Sequence, residues 1–168
     1  MSKEKGRPPV ISVVGKSNSG KTTLVEKLVS EVKRRGYRLG VIKHAAHGFS
    51  ADREGKDSWR HKAAGADTVM VAAPGRIAMV KDEPRDSLDE LVRYFDDVDL
   101  LITEGYKRES RPKIEIFRGG VHKAPICTKA DNLIALVTDT DAYSGVPRFG
   151  LEDIAGIVDL IERLYLRS

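Results

Sequence analysis

A short pattern near the start of the chain limits the fold and the chemistry more than any other segment. Residues 15–22 read G-K-S-N-S-G-K-T, which fits G-x-x-x-x-G-K-[ST], the pattern of a loop that binds nucleotide phosphates. The apolar run 10–14 precedes the loop, and apolar residues at helical spacing follow it. The sequence therefore predicts a strand, this loop and a helix in succession, as the motif requires.

The residue types in this loop suit the oxygens of a nucleoside triphosphate. Gly15 and Gly20 allow a tight turn that points successive N–H groups inward, and the N-terminus of the following helix adds further donors. Lys21 is expected to reach the β- and γ-phosphates, Thr22 to bind Mg²⁺ and Thr23 to reach the α-phosphate. The predicted nucleotide contacts in the loop are Gly15, Lys16, Ser17, Asn18, Ser19, Gly20, Lys21, Thr22 and Thr23.

Length and composition predict a single nucleotide-binding domain over residues 1–168. The chain has 168 residues, of which 40% are hydrophobic, enough for one core. The single cysteine, Cys127, rules out an internal disulfide and is typical of a reducing compartment, so we expect a cytoplasmic protein. No apolar stretch approaches the ~20 residues that cross a bilayer, and no membrane partner is expected. The 29 basic residues are interleaved with 25 acidic ones, which argues against a nucleic-acid partner.

Alternating strand and helix patterns predict the remaining fold. Strands are predicted at 10–14, 39–42, 67–73, 76–81, 99–103, 113–118 and 133–138, and helices at 21–35, 57–64, 87–95 and about 151–164. The strands at 67–73 and 76–81 are expected to form an antiparallel hairpin through Pro74 and Gly75. The order favours an α/β fold with a doubly wound, mainly parallel sheet like that of phosphate-loop nucleoside triphosphate hydrolases, plus this small hairpin.

Two acidic residues are candidates for the metal site. Glu104 ends the apolar strand 99–103, where phosphate-loop proteins carry the carboxylate that holds Mg²⁺ or its water. Lys21 and Glu104 are therefore the predicted catalytic residues, and Thr22 and Glu104 the predicted metal ligands. Asp57 is a second candidate carboxylate near Mg²⁺, with the alternative that it caps the helix that follows it.

Two histidines follow the second strand in K-H-A-A-H at 43–47. A zinc site is not favoured, because the lone cysteine lies far along the chain and His61 and His122 form no ligand-spaced pair with His44 and His47. We expect Lys43 and the two histidines to line the anion site or to contact a partner.

Segments spread over most of the chain resemble one known family. They are G-K-S-N-S-G-K-T-T at 15–23, V-I-K-H-A-A-H at 41–47, G-K-D-S-W-R-H-K-A-A-G-A at 55–66, L-I-T-E-G-Y-K at 101–107, P-K-I-E-I-F-R at 112–118 and A-L-V-T-D at 135–139. This ordered set resembles the molybdopterin-guanine dinucleotide biosynthesis protein B (MobB) family. The resemblance implies a weakly hydrolytic, dimeric GTP-binding protein that assists the attachment of GMP to molybdopterin. It also implies a separate molybdenum cofactor guanylyltransferase and molybdopterin-handling proteins as partners.

Two details of the nucleotide site stay open. Lys16 resembles the signature lysine of deviant phosphate loops, which in some related ATPases reaches across a dimer to the partner's nucleotide. The alternative is an exposed lysine that only adds positive charge. For the base, Asp139 at the end of strand 133–138 is favoured over Asp131, although T-K-A-D at 128–131 resembles the [NT]-K-x-D guanine motif, because Asp131 precedes that strand.

Two classes of function fit these features. The first is an accessory protein that binds GTP and Mg²⁺ and slowly hydrolyses GTP to GDP and phosphate. The second is a phosphate-loop enzyme that acts on ATP, either a small-molecule kinase or a dimerising ATPase. The accessory interpretation accounts for more of the sequence, since no Arg-rich lid for a kinase is evident and the ATPase rests on Lys16 alone.

Overall fold

The computed structural model describes residues 6–84, 87–141 and 145–167. These residues form two compact units. The first contains the described residues up to His44 and from Leu88 onward, and the second is Ala45–Ser87. A single domain over 1–168 stays a prediction.

Strands and helices alternate along most of the described chain. The elements are β1 Val10–Val14, α1 Lys21–Arg34, β2 Leu39–Lys43, α2 Asp57–Ala63, β3 Thr68–Ala73, β4 Arg76–Lys81, α3 Leu88–Leu91, β5 Leu100–Glu104, β6 Lys113–Phe117, β7 Leu133–Thr138, β8 Arg148–Phe149 and α4 Ile154–Ile161. Short 3₁₀ turns cover Val92–Tyr94 and Lys129–Asp131, and a π-helical segment covers Glu162–Leu166. None of the described helices is long and apolar enough to cross a membrane.

The first unit is built on a six-stranded sheet in the order β2-β5-β1-β6-β7-β8. Each neighbouring pair in this sheet is parallel, which confirms the predicted α/β phosphate-loop fold. Because the strands are parallel, the residues that follow them gather at one edge of the sheet. The phosphate loop after β1, Glu104 at the end of β5, Arg118 after β6 and Asp139 after β7 all belong to this carboxyl edge.

Both faces of the sheet are covered, which explains why β1 is apolar at nearly every position. Ile11 and Val13 pack with buried residues of α1 and α4, such as Leu28 and Ile157. Val10 belongs to a second cluster, which contains Leu101 of β5, Leu88 of α3 and Val92 of the turn after α3. Residues that alternate along β1 therefore enter different cores, as the two-residue period of a strand requires.

Two helices differ from the sequence prediction. The segment predicted as a helix over 87–95 is α-helical only at Leu88–Leu91 and continues as a 3₁₀ turn. The last helix starts at Ile154, because the Asp153 side chain caps it by accepting a hydrogen bond from Gly156 N at 3.1 Å, so Leu151 lies before the helix. The two-residue strand β8 was not predicted, since it is too short to show a period.

The second unit contains α2 and the β3–β4 hairpin. The hairpin register runs from Thr68 opposite Lys81 to Ala73 opposite Arg76, which confirms the predicted antiparallel piece. Gly75 in the connecting turn has φ 75°, a conformation that glycine adopts without strain.

We expect Leu28→Ala to lower the free energy of unfolding by about 2–5 kcal/mol, because Leu28 is fully buried between α1 and the sheet. Leu164→Ala is the matched control, since Leu164 is 48% exposed and should change stability by less than about 0.5–1 kcal/mol. Urea denaturation followed by circular dichroism measures both. Equal losses in the two variants would contradict the position of α1 in this core.

Candidate functional site

The phosphate loop packs directly against β6. A Cβ atom at residue 15 would lie 2.6 Å from the carbonyl oxygen of Ile116 and 2.6 Å from Ser19 Oγ, so only glycine fits between them. At the other end of the loop, Gly20 has φ 97° and forms the N-cap of α1. Because this N-cap has no side chain and the first turn of α1 has no acidic residue, the N-terminal N–H groups of α1 remain suited to an anion.

Lys21 spans the inside of the loop. Its ammonium group donates hydrogen bonds to Gly15 O at 3.0 Å and Lys16 O at 2.8 Å. Desolvation lowers the pKa of Lys21, and Lys107 and Lys43 act in the same direction, whereas Glu104 opposes them. A desolvated lysine among other cations is stabilised when an anion binds beside it, as the phosphate of a nucleotide would.

Thr22 and Glu104, the two residues predicted to hold Mg²⁺, lie side by side in the structure. Thr22 Oγ1 donates to Glu104 Oε1 at 2.9 Å, although the two residues lie 82 positions apart in the sequence. Lys43 Nζ lies 3.4 Å from the same oxygen. A hydroxyl and a carboxylate side by side are ligands that Mg²⁺ accepts in phosphate-loop proteins.

The buried hydroxyl of Ser19 indicates that the loop suits a phosphate. Ser19 is fully buried, and its Oγ is the one buried side-chain oxygen or nitrogen in the described part of the chain that has no hydrogen-bond partner. A buried polar atom of this kind costs free energy unless a partner arrives. Because this oxygen lies within the phosphate loop, 2.6 Å from where a Cβ of residue 15 would be, a bound phosphate oxygen is a suitable partner for it.

His44 lies next to Glu104 at the carboxyl edge. Its backbone N–H donates to Glu104 O at 3.0 Å, and its ring lies 4.6 Å from the ring of Tyr106, tilted by 34°. Gly105 between Glu104 and Tyr106 has φ 106°, and a Cβ there would approach the His44 side chain to 3.1 Å. His44 therefore borders Glu104, and whether it lines the anion site or contacts a partner stays a prediction.

Asp57 and His47 belong to the second unit. Asp57 is the first residue of α2 and lies 3.8 Å from Arg60, while Lys56 is the N-cap and no side chain caps this helix. The alternative that Asp57 caps the helix is therefore wrong, and its role near Mg²⁺ stays a prediction. Among the described residues, no group of three or more His, Cys, Asp and Glu side chains is arranged to hold a metal ion.

The two candidate base-reading aspartates lie at opposite edges of the sheet. Asp139 follows β7 at the carboxyl edge, where its Oδ1 accepts a hydrogen bond from Gly119 N at 3.0 Å. This bond, with a smaller contribution from Arg118, lowers the pKa of Asp139. Asp131 precedes β7, and its Oδ2 accepts from Thr128 N and Thr128 Oγ1 in a capping box. The motif-like residues 128–131 therefore form a turn at the edge away from the phosphate loop.

The segment 118–127 connects the loop to the sheet, which sequence reasoning did not anticipate. Glu115 in β6 is 1% exposed, and its two oxygens accept hydrogen bonds from Ile126 N at 2.7 Å and Cys127 N at 2.8 Å. Burial raises the pKa of Glu115, and the two N–H donors oppose this effect. Near the middle of the segment, His122 Nε2 donates to Ser17 O at 2.9 Å. A charged residue inside the apolar strand 113–117 was the sequence signal that could have indicated such an anchor.

A pocket of about 250 Å³ lies beside the loop in the first unit. Thr23, predicted to reach the α-phosphate, lines it together with Ser19, Gly20, Leu24, Lys27, Ile116, Arg118, Leu151 and Glu152. The pocket shares Ser19 and Gly20 with the phosphate loop, so a ligand that enters it lies next to the predicted phosphate site.

The comparison with known proteins identifies the family. Residues 10–139 match the model of the family molybdopterin guanine dinucleotide synthesis protein B, MobB. The molybdopterin-guanine dinucleotide biosynthesis adapter proteins of Haemophilus influenzae and Escherichia coli are 39% and 33% identical, over 92% and 91% of this chain and 88% and 91% of theirs. The crystal structure of Bacillus subtilis MobB is 30% identical with a TM-score of 0.73, over 95% of this chain and 99% of that one. The chain therefore belongs to the MobB family.

We expect Glu115→Gln to lower the free energy of unfolding by about 1–3 kcal/mol, because glutamine has one carbonyl oxygen for two buried N–H donors. Amide hydrogen exchange at Ile126 and Cys127 should become faster in this variant. Glu26→Gln, at an exposed position of α1, is the control and should leave both quantities nearly unchanged. Unchanged exchange at Ile126 and Cys127 would show that Glu115 does not anchor this segment.

Proposed function

We propose that this member of the MobB family is an accessory protein that binds GTP with Mg²⁺, hydrolyses it slowly to GDP and phosphate, and assists the attachment of GMP to molybdopterin. The name adapter protein, carried by relatives that match nearly the whole chain, supports the accessory role. The observation that carries the nucleotide part is the 2.9 Å bond between Thr22 and Glu104 beside the phosphate loop. The proposed partners are a molybdenum cofactor guanylyltransferase and other molybdopterin-handling proteins of the cytoplasm.

Different residues of the site are proposed to contact different parts of the triphosphate and its metal ion. Backbone N–H groups of residues 15–20 and of the α1 N-terminus meet the phosphate oxygens, and Lys21 adds a positive charge beside them. Thr22 and Glu104 are the proposed Mg²⁺ ligands. The metal supplies charge neutralisation at the β- and γ-phosphates. Since hydrolysis of this type depends on positioning and charge, Lys21 and Glu104 are the proposed catalytic residues.

Asp139 is the proposed residue that selects guanine. A carboxylate can accept hydrogen bonds from the ring N–H and the amino group of guanine, two donors that adenine does not offer on this edge. The lowered pKa of Asp139 keeps it ionised at neutral pH, in the form that only accepts hydrogen bonds. Asp139 lies at the carboxyl edge of the sheet, the edge that also carries the phosphate loop, and this position supports the role.

The hairpin of the second unit supports a homodimer. Met70 lies opposite Met79, and Ala72 lies opposite Ile77, so these four residues share one face of the hairpin. Met70 is 55% exposed and Ile77 66% exposed, and exposed apolar surface of this kind marks an interaction site. A two-fold axis would place this face against the same face of a second copy, which buries both at once.

We expect Lys21→Ala to abolish measurable binding of Mg-GTP, because the variant loses the cation that lies within the phosphate loop. Isothermal titration of wild type and variant with Mg-GTP and Mg-ATP measures this, with phosphate release followed in the same samples. Lys33→Ala, in the last turn of α1, is the control and should bind like wild type.

Each outcome of this titration separates the proposed function from its alternatives. Selective GTP binding by the wild type with slow phosphate release supports the accessory GTPase. A preference for ATP would favour the kinase or the dimerising ATPase. Wild-type affinity in a folded Lys21→Ala protein would contradict the phosphate-loop assignment itself.

We expect Ile77→Lys to convert the dimer into a monomer, because it places a charge in the apolar face of the hairpin. Sedimentation equilibrium at micromolar concentration measures the mass. Ala78→Lys changes the next residue, which points to the opposite face, and should remain dimeric. A monomeric wild type would contradict the homodimer.

A further inference from the structure

The pocket beside the phosphate loop has the features of a nucleobase site. Its volume of about 250 Å³ lies just below the ~300–1,000 Å³ typical of drug-sized ligands, which suits a smaller group such as a base with its ribose. Leu24, Ile116 and Leu151 provide apolar walls, and charged groups come from Lys27, Arg118 and Glu152. A pocket that combines apolar walls with charged groups fits a heterocycle whose edges carry hydrogen-bonding atoms.

Of the two cations in the pocket, Lys27 is already paired within it. Its ammonium group donates to both carboxylate oxygens of Glu152 at 2.7 Å. Arg118 follows β6 at the carboxyl edge, its side chain is 45% exposed, and its Nε lies 3.6 Å from Asp139 Oδ2. In the described part of the chain, Asp139 is the one acidic partner of Arg118. This contact involves Nε, and no other group of the described residues forms a hydrogen bond or ion pair with the guanidinium, so its terminal N–H groups can face a ligand.

The position of Asp139 is in turn held by the backbone. Its second oxygen, Oδ1, accepts the hydrogen bond from Gly119 N, the residue after Arg118. Asp139 therefore holds both the main chain and the side chain at the start of the 118–127 segment. An arginine held in this way loses less conformational entropy when it binds a ligand than a free surface arginine does.

We propose that Arg118 reads the N7 and O6 edge of guanine in this pocket, and that Arg118 and Asp139 together determine selectivity for guanine nucleotides. Guanine presents two acceptors on this edge, N7 and O6, which match the two parallel donors of a guanidinium. Adenine presents an acceptor and a donor there, so one arginine N–H would face an N–H of the base. The inference deepens the proposed function, because it rests on the binding of GTP.

The test compares three nucleotides that differ only in the base. GTP carries N7 and O6, 7-deaza-GTP lacks the N7 acceptor, and ATP has an amino group in place of O6. Equilibrium titration of each Mg-nucleotide into the wild type, Arg118→Met and Arg118→Lys measures the affinity ratios. We expect the wild type to prefer GTP over both analogues.

In Arg118→Met, the preference for GTP over ATP should fall by about 5- to 150-fold, the range that a bidentate contact to a base provides. The same variant should bind GTP and 7-deaza-GTP equally well. Arg118→Lys keeps the charge but lacks the planar fork, so it should restore only part of the preference. Arg148→Met is the matched control, since Arg148 on β8 is 46% exposed and its guanidinium lies 3.2 Å from the Asp141 carboxylate. This variant should keep the wild-type affinity ratios.

The outcomes distinguish this inference from the proposed function. A wild type that selects GTP while Arg118→Met keeps every ratio would overturn the role of Arg118 alone. Equal losses of GTP and ATP affinity in Arg118→Met would also overturn it, because such losses indicate a contact with phosphate or ribose. A wild type that prefers ATP would contradict the proposed function, whatever the variants do.

Discussion

The close contact between the phosphate loop and β6 is the constraint on which the rest of the site depends. Ile116 O occupies the space that a side chain at residue 15 would need, so the loop can approach the sheet only with glycine at this position. The strand that provides this contact also carries Glu115, which anchors Ile126 and Cys127, and it ends immediately before Arg118. The strand β6 thus positions the phosphate loop, the segment 118–127 and Arg118, the candidate contact to the base.

Burial and charge act together on the groups around this contact. The ammonium group of Lys21 is desolvated where it donates to two loop carbonyls, and the Ser19 hydroxyl is buried with no hydrogen-bond partner among the described residues. Both features disfavour the loop on its own, since each leaves a polar or charged group poorly solvated. A phosphate beside the loop would give both groups a partner, so its binding would recover the free energy that their poor solvation costs. This is the usual relation between local instability and function at binding sites.

The sequence predicts best where a local pattern and the sheet geometry agree. The apolar run of β1 and the acid at the end of β5 are enough to bring Thr22 and Glu104 to one edge, because parallel strands end together. The anchoring of residues 118–127 was not predictable in the same way, since the partners of Glu115 are backbone N–H groups whose position no side-chain pattern reveals. The helix over 87–95 was predicted too long because apolar spacing cannot distinguish one α-helical turn from the 3₁₀ turn that follows it.

The two edges of the sheet use charge differently, and this difference explains why only one of them suits an anionic ligand. At the amino edge, the charged groups already have partners: Arg35 at the end of α1 contacts the carboxylates of Glu31, Asp159 and Glu162, and Lys113 donates to three backbone carbonyls. At the carboxyl edge, Lys43 and Lys107 surround Lys21, and Glu104 is the carboxylate that acts on it. Cations therefore exceed anions around the loop. The proposed nucleotide with its metal ion would restore that balance, whereas at the amino edge it would break ion pairs that already exist.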